Sequence, residues 1–223
     1  MSSEENYNIG GCRVKRSLLS LEKMIKVFMA DVISAILAGG KSTRMGRDKA
    51  TLILDSEPLI QRVYGVAREV FDNTIVVSNN IKALPGMNIP IIEDVVALQS
   101  PLAGIVSALI HTGADYVFAL ACDMPFLSGE AIKYMLDNIN GEDIIIPKTE
   151  KGYEPFHAIY GRSCISYMLT CIERRRYRVT DIFPYLSVKA VKEAPLFFCN
   201  GISVFTNINT EEELKKALTI SRG

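Results

Sequence analysis

The feature that most limits the fold is a repeated alternation. Apolar, β-branched runs recur along the chain: "VISAILA" (32–38), "TIVVS" (74–78), "NIPIIED" (88–94) and "DYVFALACD" (115–123). Such runs read as buried strands. Between them lie segments with helical spacing. Leu59, Val63, Val66, Ala67 and Val70 share one helix face. "PLAGIVSALIH" (101–111) opens with a proline suited to the first helical position. Strands that alternate with helices through short links imply a sheet covered on both faces. The expected fold class is therefore α/β and Rossmann-like, with a mostly parallel sheet and helices on both sides.

The remaining elements follow the same logic. "TLIL" (51–54) reads as a short strand and "DSEP" (55–58) as a turn. Ser128 is placed to cap a helix whose apolar face is Ile132, Met135, Leu136 and Ile139. "DIIIP" (143–147) and "PFHAIYG" (155–161) read as strands, followed by a helix over about 163–173. "FTNINTEEEL" (205–214) runs from a strand end into a last helix, where Thr210 and Glu213 have capping-box spacing. Residues 1–30 lack clean periodicity. They are expected to form an extension outside the core, with a short helix at 16–24, and Met24 or Met29 could equally be the start. Residues 31–223 are expected to form one domain.

Composition narrows the function. The chain has 223 residues, 48% of them hydrophobic, and zero formal net charge. That is enough for a sizeable core. It argues against a general nucleic-acid or anionic-membrane surface, so anion binding must be local. No apolar run approaches the roughly 18–20 residues of a membrane-spanning helix. Glu22, Lys23, Lys26 and Asp31 interrupt any signal-peptide core. The expected location is cytoplasmic. The five cysteines, Cys12, Cys122, Cys164, Cys171 and Cys199, include no C-x-x-C pair and read as free thiols. Cys164 and Cys171, about two helical turns apart, are expected to be semi-buried. His111 and His157 are the only histidines. A His-rich zinc site is thus excluded, and any metal should take oxygen ligands.

Within "AGGKSTRMGRDK" (38–49), the tetrad Gly40-Lys41-Ser42-Thr43 imitates the end of a P-loop. A P-loop needs a glycine five residues before Gly40, and that position is Ala35. The intervening residues belong to the first strand. The P-loop reading fails, leaving a strand followed by a glycine-rich basic loop.

Ligands of open α/β sheets bind beyond the carboxyl ends of the strands. Gly39, Gly40, Ser42, Arg44, Gly46 and Lys49 follow the first strand; Ser78, Asn79 and Asn80 follow the second. Glu93 and Asp94 end the third, and Asp123 ends the fourth. Lys41, Arg44, Arg47 and Lys49 could neutralise a triphosphate. Asp123 suits Mg²⁺, which needs one or two carboxylates plus substrate oxygens. Each has a plainer alternative: a solvated loop, a chain-turning Asp123, a capping Asp94.

These residues carry a resemblance. "LAGGKSTRMGRDKATL" is similar to the opening motif of the molybdenum cofactor guanylyltransferases, and "SPLAGIVSAL", "ACDMPFL" and "TNINTEEEL" resemble later motifs of that family in the same order. The resemblance covers residues 32–218. It implies a nucleotidyltransferase that transfers GMP from GTP to the terminal phosphate of molybdenum-bound molybdopterin and releases pyrophosphate. It implies nucleotide contacts from Leu37, Ala38, Gly39, Gly40, Ser42, Arg44, Gly46, Lys49, Asn80 and Asp94. Arg44, Lys49 and Asp123 would be catalytic, with Asp123 the ligand of a Mg²⁺ cofactor. Arg178, Asn207 and Asn209 would lie at the acceptor end, with the run "ERRRYR" (173–178) leaving the register of Arg178 open. Molybdenum-insertion proteins and molybdoenzymes are further candidate partners; nucleic acid and membrane are not. Two positions depart from the family pattern: Ser100 stands where a glycine is common, and Glu211 where a proline is. The alternatives are a nucleotidyltransferase using CTP or a sugar or alcohol phosphate, and a non-catalytic adaptor that delivers the cofactor.

Overall fold

A computed structural model describes residues 6–9, 12–15, 30–39, 52–54, 56–79, 89–96, 98, 100–199, 201–208, 210, 212–213, 215–216 and 219. Its centre is an eight-stranded sheet. Strand β3 (Val32–Leu37) lies in the middle, parallel to β6 (Thr74–Val77) on one side and to β8 (Tyr116–Ala121) on the other. Strand β7 (Ile91–Ile92) extends the sheet beyond β6, again parallel. Beyond β8 the direction changes. Strand β11 (His157–Gly161) is antiparallel to both β8 and β9 (Ile144–Thr149), while β12 (Val188–Lys192) runs parallel to β9. The sheet is mixed, with its parallel part where the alternation is cleanest.

Helices cover both faces because the strands alternate between two cores. Ile36, Val76, Phe118, Leu120 and Ile145 face one way, onto α1 (Leu59–Arg68) and α3 (Gly129–Asp137). Ala35, Leu37, Ile75, Val77, Val117 and Ala119 face the other way, onto α2 (Pro101–Thr112) and α4 (Cys164–Glu173). Both sets are buried, which is why the strands read as continuous apolar runs rather than alternating ones. Ala35, the residue that defeats the P-loop reading, is fully buried mid-strand between Ile75 and Ala119.

Capping follows the sequence. Ser128 caps α3, accepting from Ala131 N at 3.4 Å. Ser100 caps α2, accepting from Ala103 N at 3.1 Å with Pro101 in the first turn, so the serine found in place of glycine has a structural role. Thr210 and Glu213 bond reciprocally, each backbone N–H to the other's side chain at 3.1 Å.

Several expectations need correction. "DSEP" is not wholly a turn: β4 (Ile53–Leu54) pairs with β5 (Glu57–Pro58) in a hairpin outside the main sheet, and Ser56 turns the chain at φ 69°. "NIPIIED" forms only the two-residue β7, since Pro90 cannot donate to the ladder. The strand before "TNINT" is β14 (Ile202–Ser203), paired with β13 (Phe198–Cys199), not Phe205. Cys164 and Cys171 are buried rather than semi-buried, and Cys164, Cys171 and Cys199 are free thiols. The extension holds β1 (Asn6–Ile9) and β2 (Cys12–Lys15), an antiparallel hairpin. The helix expected at 16–24 lies outside the described residues.

One register detail shapes the rim. Strand β10 (Gly152–Tyr153) pairs with Thr149 and Lys148, and β11 rejoins β9 with Ile159 opposite Ile145. Strand β12 occupies one edge of β9 from Ile144 to Lys148, so β10 and β11 share the other. Where β9 passes Ile146 and Pro147, the opposing strand passes 154–158. That surplus is a bulge, and it begins at Glu154.

Candidate active site

The rim at the carboxyl ends of β3, β6, β7 and β8 collects most of the expected residues. Leu37 and Ala38 are buried and Gly39 is exposed, so the chain leaves the core at Gly39. Backbone bonds hold this exit: Ala38 N donates to Val77 O at 2.9 Å and Cys122 N to Leu37 O at 3.3 Å. Helix α2 approaches closely because Gly104 has no side chain; a Cβ there would lie 3.2 Å from Leu37 Cδ2.

Asp94 is half-buried just beyond β7 and is held by Asn79, just beyond β6. Asn79 Nδ2 donates to Asp94 Oδ2 at 3.0 Å, and Asp94 N donates back to Asn79 Oδ1 at 3.0 Å. Burial pushes the Asp94 carboxyl above its ordinary range, opposed by Ser107 and Asn79. The Ser107 hydroxyl donates to Ala103 O at 2.6 Å and accepts from Val95 N at 2.9 Å. Its proton is committed, so Asn79 is the firm donor. Asp94 Oδ1 is buried and without a hydrogen-bond partner among the described residues.

Asp123 is buried, 8% exposed, two residues past the end of β8. Its carbonyl accepts from Ile208 N at 2.9 Å, which draws "TNINT" onto "ACDMPFL". Leu52, Leu54, Leu59 and Ile208 form a small buried cluster with Phe126 against it.

The acceptor-end residues are spread more widely. Asn207 is exposed next to Ile208. Arg178 is exposed and leads into a 3₁₀ segment, Val179–Tyr185, its N–H donating to Asp181 Oδ2 at 3.2 Å. It stands on the rim side, because β11 ends opposite the start of β8 and α4 returns from there. Gly40, Ser42, Arg44, Gly46, Lys49, Asn80 and Asn209 lie outside the described residues.

Sequence reasoning missed three groups here. Asn79 was read only as a strand-end residue, and the amide–carboxylate pairing leaves no sequence signal beyond two polar strand ends. Glu154, at the bulge, is half-buried. Thr149 Oγ1 lies 3.4 Å from its Oε1 and 3.2 Å from Gly152 O, so one hydroxyl proton serves two acceptors. Burial pushes the Glu154 carboxyl up, opposed by Thr149 and Lys151 and reinforced by Glu193. His157 is fully buried against Phe118, Phe197 and Phe205. Burial lowers its pKa from 6.5 to about 3.

A cleft of about 560 Å³ opens at the opposite end of the sheet, lined by Asp31, Phe71, Asp72 and Asp137 among others. It contains none of the expected site residues.

The residues present fit a Mg²⁺ that relies on its substrate. Asp123 offers one carboxylate just past the end of β8, and no group of three or more His, Cys, Asp or Glu side chains gathers among the described residues. A hydrated divalent cation completed by phosphate oxygens needs no more protein ligands than this.

A mixed, largely parallel sheet, a glycine-marked loop after its central strand and an acid at the end of the neighbouring strand define an α/β nucleotidyltransferase. The family model described as the MobA-like NTP transferase domain matches residues 34–184. The chain belongs to that family. A probable molybdenum cofactor guanylyltransferase from Pelotomaculum thermopropionicum is 34% identical over 190 residues, covering 85% of this chain and 93% of the relative. The molybdenum cofactor guanylyltransferase of Desulfosudis oleivorans is also 34% identical, over 85% of this chain and 95% of its own. Among solved structures, molybdopterin-guanine dinucleotide biosynthesis protein A from Archaeoglobus fulgidus superposes with a TM-score of 0.75 at 27% identity, covering 85% of this chain and 98% of that one. No helix among the described residues is long and apolar enough to cross a membrane.

Proposed function

We propose that this protein transfers GMP from GTP to the terminal phosphate of molybdenum-bound molybdopterin, releasing pyrophosphate. The observation that carries the reading is the convergence of the loop ends, Asp94 and the Asp123–Ile208 contact on one rim, in a chain whose relatives bear that activity in their names.

The acceptor is already an anionic phosphate, so no base is required. An acceptor oxygen attacks the α-phosphorus of GTP, and the bond from that phosphorus to the bridging oxygen of pyrophosphate breaks. The barrier is repulsion between phosphates together with alignment. Arg44 and Lys49 neutralise the departing pyrophosphate. Asp123 would hold a Mg²⁺ ion, which when bound would supply positive charge to the reacting groups. Asp94 accepts N–H bonds from guanine while Asn79 fixes its orientation. Asn80 adds a nucleoside contact, and Arg178, Asn207 and Asn209 attend the acceptor. The protein acts in the cytoplasm as a soluble enzyme.

The test is incubation with GTP, Mg²⁺ and molybdenum-loaded pterin, followed by analysis for the guanine dinucleotide and pyrophosphate. GTP should raise the melting temperature more than CTP does, because a hydrogen-bonding site rejects a base that leaves its groups unpaired. Equal shifts with the two nucleotides would remove Asp94 from guanine recognition.

A further inference from the structure

We infer that Glu154 reads the pterin ring of the acceptor through its 2-amino-4-oxo edge, and that Thr149 steadies it; the inference rests on the function proposed above.

The first argument is position. The bulge between β10 and β11 begins at Glu154, whose backbone N–H donates to Pro147 O at 3.0 Å and whose carbonyl accepts from His157 N at 3.3 Å. His157 pairs with Leu120, near the carboxyl end of β8. Glu154 therefore stands at the same rim as Asp123, on the side facing β9 and β11. Asp94 stands on the other side, beyond β3 and β6. With strands ~4.8 Å apart, the three strand steps from β8 to β7 amount to ~14 Å. Two substrates that react beside Asp123 would extend in opposite directions along this rim. Asp94 claims the β6–β7 side for the nucleotide, which leaves the β9–β11 side to the acceptor.

The second argument is chemistry. Glu154 is half-buried, and no cation lies within ion-pair distance of it among the described residues. Its one side-chain donor among the described residues is the shared Thr149 hydroxyl. A carboxylate carried partly out of water with so little compensation has unused acceptor capacity. Guanine and pterin share one recognition edge, an amino group beside a ring N–H, and a carboxylate accepts both hydrogens side by side. A bulge is also a device for re-aiming a side chain next to a functional site. The raised pKa of Glu154 agrees with a carboxylate whose partners arrive with the ligand.

The experiment compares wild-type protein with Glu154→Gln and Glu154→Asp. It measures steady-state KM for molybdenum-loaded pterin, GTP affinity by calorimetry, and melting temperature. Glutamine keeps the size but turns one acceptor into a donor that faces the ring's donors. KM for the pterin should rise about tenfold or more in Glu154→Gln, as expected for a lost charge-assisted pair. Glu154→Asp should recover part of that loss. GTP affinity and melting temperature should stay at wild-type values in both. An unchanged pterin KM in Glu154→Gln overturns the inference, as does a parallel loss of GTP affinity. Wild-type protein that binds GTP but leaves the pterin unmodified overturns the proposed function, and this inference with it.

Discussion

Asp94 and Glu154 are both half-buried carboxylates at one rim, and they are held in opposite ways. Asp94 is fixed at two points by Asn79, through 3.0 Å bonds in both directions between parallel strand ends. Glu154 hangs at a bulge with a shared hydroxyl for company. The first is preorganised and the second is adaptable. The difference follows from the sheet. In its parallel part, neighbouring strands end together, so side chains just past those ends meet in pairs. In its antiparallel part, strand ends meet turns, and a register shift decides what reaches the rim. A site built across both parts has one rigid half and one compliant half.

The comparison can be broken first at the residue between the two. Asp123→Asn keeps size and removes charge, and kcat should fall about hundredfold or more. Both substrates should still bind, with melting temperature unchanged. If kcat at limiting Mg²⁺ stayed near normal, neither half would be organised around a metal at Asp123.

The next test sets the rigid holder against the loose one. Asn79→Ala removes both bonds to Asp94 and should weaken GTP about tenfold, leaving pterin KM unchanged. Thr149→Val should do the reverse and more mildly: GTP affinity intact, pterin KM raised only a few-fold. Calorimetry with GTP and kinetics with the pterin give both numbers. Equal effects of the two variants on one substrate would mean that the rim is not divided this way.

The smallest effect concerns the inner end of the bulge. His157 takes up a proton near 6.5 in the unfolded chain but only near 3 in its apolar cage. Below pH 6.5 the unfolded state binds more protons, so stability is lost as pH falls, by up to about 1.4 kcal/mol per pH unit. Above pH 6.5 His157 contributes nothing to the slope. His157→Phe should flatten the decline between pH 6.5 and 5 in denaturant titrations. A variant with the wild-type slope would show that the histidine charges without penalty and that the bulge admits water.

Legibility in the sequence followed the same division. Strands β3, β6 and β8 are buried on both faces, so they appear as unbroken apolar runs, and the ends of β3 and β8 point directly to Gly39 and Asp123. The helices between them declared themselves through Pro101 and Ser128. Strand β12 did not. It reads "VKAVK", Val191 is its one buried residue, and lysines of this kind suit a strand that pairs only with β9 among the described residues. The hairpin at Asn6–Ile9 and Cys12–Lys15 had a visible signal in Gly10-Gly11, but too little apolar content around it to read as strand. Glu154 left no signal, because a bulge is a property of register between two strands. The Asp123–Ile208 bond left none either, because it is made by backbone atoms.

That last bond carries a consequence for how the protein is made. Asp123 belongs to the middle of the chain and Ile208 to its final stretch. As synthesis proceeds from the amino end, the central strands and their helices can assemble while the closing segment is still inside the ribosome. Asp123 and the apolar cluster of Leu52, Leu54 and Leu59 exist by then, but Ile208, which joins the two, does not. A nascent chain holds every residue expected to touch the triphosphate and still lacks a finished site. The rim is therefore closed only once Ile208 has been made, well after the strands that frame it.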